Sequence, residues 1–358
     1  MSWLTHHISL LLFLVLALSL FCGFPVAFVL GGVAILFGGI GMALDIFHPI
    51  QFFNLMPRVW GSAAANPIIV AVPMFIFMGT MLERSGVAKD LLHTLQIVTR
   101  RIPGGLAMSV TLMGTIMAAT TGIVGASVVM LTMIALPSMM ERGYAKELAV
   151  GTIASAGTLG ILIPPSIMLV IMGDLLSVSV GALFAASILP GMLLAGLYLL
   201  YIGITSYRNP DRAPPLPDDT GPSSNAELIA LVFKSFFPPV LLITLVLGSI
   251  FGGFATPTEA AGVGCLGAIF LAWMNKKLSM KTLRDVIRLA GLTNGMVFFI
   301  FFGATLFSYV FRALGGDDLI LELLGVIGID TFDTFNAADD RPWVSFGGPR
   351  NRKRQKHE

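Results

Sequence analysis

Long uninterrupted apolar stretches alternate along the chain with short polar segments. No charged residue occurs from Ile8 to Leu44. At ~1.5 Å per residue, one helix of that length would reach ~55 Å, too long for a single crossing of a ~30 Å hydrocarbon core. Gly23 and Pro25 interrupt the run and predict spans near 8–22 and 25–44. Further runs predict spans at 66–82, 148–173, 181–206, 227–252, 258–275 and 290–311, with a longer run at 104–140. Lipid leaves no backbone group a partner outside the chain, so each run reads as helix. The pattern predicts an all-α polytopic membrane protein.

Composition sharpens this reading. Of 358 residues, 56% are hydrophobic and 12% charged, about half the charge of an ordinary soluble domain. The charges are also clumped, with 11 of them in residues 330–358. Such a chain cannot solvate its own surface in water, which excludes a soluble enzyme, a disulfide-stapled secreted domain and a nucleic-acid binder. Cys22 and Cys265 both sit in apolar runs and read as small core residues. No HExxH, GxSxG or CxxC motif is present, and nothing supplies a nucleophile–base pair, so the chain reads as no enzyme.

Lys and Arg orient the spans. Segments 83–103, 141–147, the loop after 206 and 276–288 carry the bases and should be cytoplasmic, whereas 45–65, 174–180 and 253–257 are poor in base. Both flanks of 104–140 are then on one side. Its 37 residues are short for two crossings and a turn. A re-entrant hairpin fits better than two short spans, with its small, polar tip Thr120-Thr121-Gly122-Ile123-Val124-Gly125-Ala126-Ser127 at mid-membrane. Residues 83–102 read as a surface helix connecting to the hairpin. In 148–173, Gly157, Gly160, Pro164 and Pro165 fall in mid-span. The proline pair removes two N–H donors and favours a broken helix over a lipid-facing kink. Freed carbonyls and helix ends at such a break can coordinate an ion or substrate.

The chain also partly repeats itself. Phe21-Cys22-Gly23-Phe24 matches Phe251-Gly252-Gly253-Phe254, and Arg84, Asp90, Leu91 and Leu95 match Arg312, Asp318, Leu319 and Leu323. An odd number of crossings between the copies would invert them, as in secondary transporters. The predicted organisation is a first repeat at 1–207 (hairpin 104–140, broken helix 148–173, closing span 181–206). A Pro-rich cytoplasmic linker at 208–226, a partial second repeat at 227–328 and a charged, disordered tail at 329–358 follow. The second repeat is therefore expected to be incomplete, truncated or frame-shifted after about residue 328. Gly262-Val263-Gly264-Cys265-Leu266-Gly267 follows no strand and reads as helix packing. Glu259 reads as a helix N-terminal charge capped by Thr256 or Thr258, or as a functional carboxylate.

Four stretches resemble the DctM-like large membrane subunit of the tripartite ATP-independent periplasmic (TRAP) transporters. They are Pro73-Met74-Phe75-Ile76-Phe77-Met78-Gly79 through Arg84-Ser85-Gly86, Pro137-Ser138-Met139-Met140-Glu141-Arg142-Gly143-Tyr144, Ala156-Gly157-Thr158-Leu159-Gly160-Ile161-Leu162-Ile163-Pro164-Pro165-Ser166, and Ala255-Thr256-Pro257-Thr258-Glu259-Ala260-Ala261. The likeness covers about residues 5–325. The resemblance implies an inverted-repeat, elevator-type sodium symporter in the bacterial inner membrane. Such a subunit works with a small four-helix membrane subunit and a periplasmic substrate-binding protein, which selects the organic acid, typically a carboxylate. Sodium is the implied coupling ion, with no other cofactor. The implied sodium and substrate site comprises Thr120, Thr121, Gly122, Gly125 and Ser127 at the tip and Gly157, Thr158, Gly160, Pro164, Pro165 and Ser166 in the break. Many relatives carry Ser-Gly-Ser-Ser at the tip, so Thr121-Gly122-Ile123-Val124 offers fewer side-chain oxygens and backbone carbonyls must do more. The alternative reading is a truncated, non-transporting membrane fragment that retains only partner-subunit binding.

Reporter fusions at residues 178 and 212 are expected in opposite compartments, and fusions at 103 and 145 both in the cytoplasm. Finding 103 and 145 on opposite sides would eliminate the re-entrant hairpin.

Overall fold

The computed structural model describes residues 8–61, 66–121, 124–215 and 224–326. No strand occurs among them. The first helices are α1 (Ile8–Phe21), α2 (Val26–Ala43), α3 (Pro49–Phe53), α4 (Leu55–Val59), α5 (Ala71–Arg84) and α6 (Val87–Val98). The hairpin and the broken helix follow as α7 (Gly105–Thr121), α8 (Val124–Glu141), α9 (Lys146–Thr158) and α10 (Ile167–Leu175). The chain continues through α11 (Val180–Arg208), α12 (Asn225–Phe251), α13 (Pro257–Met274), α14 (Met280–Ala313) and α15 (Gly316–Val326). Among the described residues, helices in α2, α11, α12, α13 and α14 are long and apolar enough to cross a membrane. Leu189, Leu193, Leu197 and Leu200 stand exposed along α11 at helical spacing, a face only lipid or another protein can cover. The chain is a multi-pass membrane protein.

The helices form two compact units, one from residues 1–62 with 299–358 and one from 63–298. In the first, Leu12 and Leu16 of α1, Val33 and Phe37 of α2, and Val310 and Leu314 near the end of α14 share a core. Gly303 of α14 lies against the Ala27 carbonyl, where a Cβ would come within 2.8 Å of that oxygen. The second unit has two main cores. One joins α5, α10, α12 and α13 through Phe75, Met78, Val170, Val246 and Ala268, with Phe184 of α11. The other joins α6, α7, α8 and α9 through Leu91, Leu95, Met113, Leu131 and Ile153.

Helices in lipid gain little from hydrophobic burial against one another, so close packing must hold them. Helix α13 shows how. Ala260, Ala261, Gly264, Cys265, Ala268 and Ala272 form a small-residue stripe buried against α5. A Cβ on Gly264 would collide with Met78, and one on Gly267 with Leu242 of α12. The glycine run of α13 is therefore a packing feature, as its sequence context indicates. Thr256 caps the helix: its hydroxyl accepts from the Glu259 N–H at 3.3 Å, and the Glu259 carboxylate accepts from the Thr256 N–H at 2.8 Å. Glu259 thus has the structural role, closing a capping box. Thr258 donates to the Pro67 carbonyl at 2.9 Å and ties this helix start to the segment before α5.

Several expectations change. Cys265 is buried, with its thiol 3.0 Å from the Met74 carbonyl, but Cys22 is exposed beyond the end of α1 and is no core residue. It sits in the turn where Gly23 takes a positive φ, so its side chain leaves the packed face. Helix α6 keeps one exposed face, with Lys89, Asp90 and His93, and buries the other in protein. Val87, Leu91, Leu92 and Leu95 are covered by protein, and Thr94 meets Ser235 of α12 at 2.7 Å. The last predicted span starts earlier, at Met280, because Thr282 to Arg288 contains no Gly or Pro and Ser279 accepts from the Thr282 N–H at 3.0 Å. The predicted linker begins as ordered chain: the Arg212 carbonyl accepts from the Ala145 N–H and the Ala213 carbonyl from the Gly104 N–H, each at 2.9 Å.

The two stretches matched in sequence carry the same local elements. Gly23 and Gly253, both at positive φ, each precede an 18-residue helix, and Gly86 and Gly315, also at positive φ, precede α6 and α15.

Thr256→Ala should destabilise the protein by about 1 kcal/mol through loss of the cap. Glu259→Gln keeps an acceptor oxygen and should cost less. Thermal unfolding in detergent micelles checks both, and an equal or larger loss for Glu259→Gln would contradict the capping role.

Candidate functional site

The broken helix is real and lies inside protein. Helix α9 ends at Thr158, a 3-10 turn covers Leu159–Ile161, and α10 starts at Ile167. Pro164 lacks the N–H that would reach the Gly160 carbonyl in a continuous helix, and Pro165 the one that would reach Ile161. Ser166 repairs one of these losses: its hydroxyl donates to the Ile161 carbonyl at 2.9 Å. Ser166 is 0% exposed, and Pro164 and Pro165 are buried with it. The Pro164–Pro165 peptide bond is cis.

Two adjacent prolines do not break a helix by themselves. Pro238 and Pro239 lie within α12, which continues from Asn225 to Phe251. The difference is in what precedes them. Phe236 and Phe237 stand before the α12 pair, whereas Gly157 and Gly160 loosen the turns before Pro164. At the α9–α10 break, helix preference and proline geometry point the same way.

The hairpin reaches this break. A Cβ on Gly157 would collide with Val128 of α8 and lie 3.2 Å from the Val128 backbone nitrogen. A Cβ on Gly114 of α7 would lie 2.8 Å from the Ala156 Cβ. The last turn of α9 is thus lodged against both hairpin arms. On the other side, a Cβ on Gly191 of α11 would lie 3.0 Å from Ile163. The opposite end of the hairpin is bonded firmly. The Thr99 hydroxyl lies 2.8 Å from the Gly105 carbonyl and 2.9 Å from the Ser109 hydroxyl, and Tyr144 accepts from the Leu106 N–H at 3.2 Å. Burial pushes the Tyr144 phenol above its ordinary value and keeps it protonated.

The sequence-derived site residues divide accordingly. Gly157 and Ser127 come together, since Gly157 abuts Val128 and Ser127 is buried beside it. Thr158 is half-buried and donates to the Ser155 carbonyl at 2.7 Å, leaving its lone pairs to accept. Gly160, Pro164, Pro165 and Ser166 line the buried break. Gly125 is exposed, with open space around it. Gly122 lies outside the described residues, as do the side chains of Thr120 and Thr121. Among the described residues no three His, Cys, Asp or Glu side chains converge. The oxygens at hand are carbonyls and hydroxyls, a donor set suited to a hard cation. The C-terminal, negative end of α9 and the N-terminal, positive end of α10 flank this one irregular segment.

Sequence reasoning missed the carbonyls of Ser155 and Ile161, which orient the Thr158 and Ser166 hydroxyls. It also missed Asn66, whose amide donates to Asp174 at 2.6 Å and anchors the far end of α10 to the segment before α5. No local pattern connects residues 108 positions apart.

A family model, the DctM component of the tripartite ATP-independent periplasmic transporters, matches residues 12–326. The C4-dicarboxylate TRAP transporter large permease protein DctM of Vibrio cholerae is 33% identical over 262 residues, 73% of this chain and 55% of that protein. Its Pseudomonas aeruginosa counterpart is 32% identical over 76% of this chain and 62% of that protein. The ectoine/5-hydroxyectoine large permease UehC of Ruegeria pomeroyi is 30% identical over 89% of this chain and 71% of that protein. The chain thus spans less than two thirds of the C4-dicarboxylate permeases it matches.

Gly157→Ala should force Val128 and its backbone away and cost about 1–3 kcal/mol. Gly125→Ala meets open space on a helix and should be neutral or slightly stabilising. Thermal unfolding of the two variants side by side distinguishes them. Equal stability would mean that the break and the hairpin are not closely packed.

Proposed function

The chain belongs to the DctM-component family of tripartite ATP-independent periplasmic transporters, and on that footing we propose that it is the membrane permease subunit of a sodium-coupled, binding-protein-dependent secondary transporter for organic acids. The observation that carries this reading is the buried break at Leu162–Ser166 lodged against the hairpin. Irregular backbone at membrane depth survives only inside protein or beside a cavity, and here it is buried and flanked by opposite helix ends. Sodium suits the α9 side, where the Gly160 carbonyl has lost its regular donor and Thr158 keeps lone pairs free. A substrate carboxylate suits the N-terminus of α10, whose first N–H groups point toward the break.

The relatives named for C4-dicarboxylates support a carboxylate cargo for this chain. By the same family logic it works with a small four-helix membrane subunit and a periplasmic substrate-binding protein in the bacterial inner membrane. The hairpin and α9, the first half of the broken helix, share one core, whereas α10 packs in the core of α5, α12 and α13. In an elevator-type cycle the hairpin and α9 would travel together, carrying the ion with them.

Sodium binding tests the reading directly. The purified chain, titrated with NaCl at constant ionic strength against choline chloride, should bind radioactive sodium saturably and in preference to potassium. Thr158→Val removes one oxygen ligand at nearly constant volume and should weaken binding about tenfold, the equivalent of one hydrogen-bond-sized interaction. Pro164→Ala combined with Pro165→Ala restores two N–H donors and should abolish saturation. Sodium binding indistinguishable from potassium, or unchanged in both variants, would place the site elsewhere.

A further inference from the structure

Away from the break, helices α7, α9 and α11 enclose a cavity of about 210 Å³ beside the bonded base of the hairpin. Thr152 and Ser155 of α9 and Tyr198, Tyr201 and Thr205 of α11 line it, with Glu147 and Arg212 among its walls. Thr152 is the informative residue. It is 5% exposed, and its hydroxyl has no hydrogen-bond partner. Several helical threonines close their hydroxyls onto the carbonyl one turn back: Thr80 onto Ile76, Thr111 onto Ala107, Thr115 onto Thr111, Thr132 onto Val128 and Thr305 onto Phe301. Thr152 does not use this option. A buried polar group without a partner costs about 1–3 kcal/mol unless something supplies one.

The charges around the cavity are paired in kind but not joined. Arg212 and Glu147 both line it, and neither takes part in an ion pair among the described residues. Arg212 is held in position by its own backbone, whose carbonyl accepts from the Ala145 N–H. Leu148 and Ile202 are apolar parts of its wall, and Tyr201, also in the wall, is 66% exposed. Helix α11, which supplies that tyrosine, carries the exposed leucines Leu193, Leu197 and Leu200, a surface that lipid chains fit and a soluble ion does not.

We propose that this cavity binds the phosphoethanolamine headgroup of a membrane lipid from the leaflet on the side of the basic loops. The phosphate meets the Arg212 guanidinium and the hydroxyls of Thr152, Ser155 and Thr205. The ammonium meets the Glu147 carboxylate, and the phenols of Tyr198 and Tyr201 stand at the boundary between headgroup and chains. A zwitterion is selected because the wall carries one charge of each sign. Phosphatidylglycerol carries the same phosphate but no cation and would leave Glu147 without a partner.

Native mass spectrometry of the detergent-purified full chain tests the assignment during stepwise delipidation. One phosphatidylethanolamine should persist per chain and outlast phosphatidylglycerol. Arg212→Gln and Glu147→Gln should each reduce its retention by about fivefold, the size of one interfacial charge. Thr152→Val should reduce it less, and Lys146→Gln, outside the cavity wall, should leave it unchanged. In parallel, photoreactive phosphatidylethanolamine in nanodiscs should label the wild-type chain within 145–155 and 198–212, a readout that needs no variant to fold. Equal retention of phosphatidylglycerol, insensitivity to both charge variants, labelling elsewhere, or equally tight binding of soluble phosphoethanolamine would each overturn the proposal.

Discussion

Backbone hydrogen bonding in a medium that offers no alternative partner governs this structure. Each interruption of helix must be shielded and repaired from within the protein. At the break after α9, two prolines remove the donors that Gly160 and Ile161 would otherwise use. Ser166 restores one bond with its side chain, and the surrounding helices exclude lipid from the rest. The hairpin, α11 and α10 can be understood as the enclosure this segment requires. What remains inside that enclosure is the Gly160 carbonyl, without the helical donor that Pro164 cannot supply.

Helices that must enclose a break closely cannot do so with bulky side chains on every face. Gly114, Gly157 and Gly191 sit where α7, α9 and α11 approach the break, and a Cβ at each would fall within 3.0 Å of a neighbour. The small-residue stripe of α13 applies the same solution to α5. Low side-chain volume at contact faces, and large aliphatic side chains facing outward, are the two complementary demands of lipid on a helix bundle. Both are visible in α11, where Gly191 faces the break while Leu189 and Leu193 are exposed.

Much of this was legible in the sequence. The apolar runs located most of the long helices within a few residues, the helix that starts at Met280 excepted, and Gly157, Gly160, Pro164 and Pro165 located the break. These signals are local, arising from solvent preference and dihedral restriction within a single segment. The missing pieces were relational. Whether α6 lies on lipid or protein depends on α7 and α12, not on its own amphipathic pattern. The contact from Asn66 to Asp174 and the ordering of Arg212 and Ala213 depend on partners remote in sequence. The proline pairs make the same point from the other side: Pro238–Pro239 and Pro164–Pro165 read alike as dipeptides, and only their context separates a continuous helix from a broken one. At the candidate site, glycines and prolines were recognisable, but the carbonyls that orient Thr158 and Ser166 were not, since every residue has a carbonyl.

The hydrogen bonds at the foot of the hairpin have a mechanical meaning. Thr99, Ser109, Tyr144 and the backbone of Arg212 and Ala213 fasten both arms at one end, whereas a Cβ added to Gly125 near the opposite end would meet nothing within 4 Å. Further along, the arms are held by close packing alone, at Gly114 against Ala156 and at Val128 against Gly157. A hydrogen bond fixes direction as well as distance, whereas a packed contact resists approach but lets two surfaces slide. The base therefore sets the register of the two arms, and the glycine contacts set how closely they hold α9.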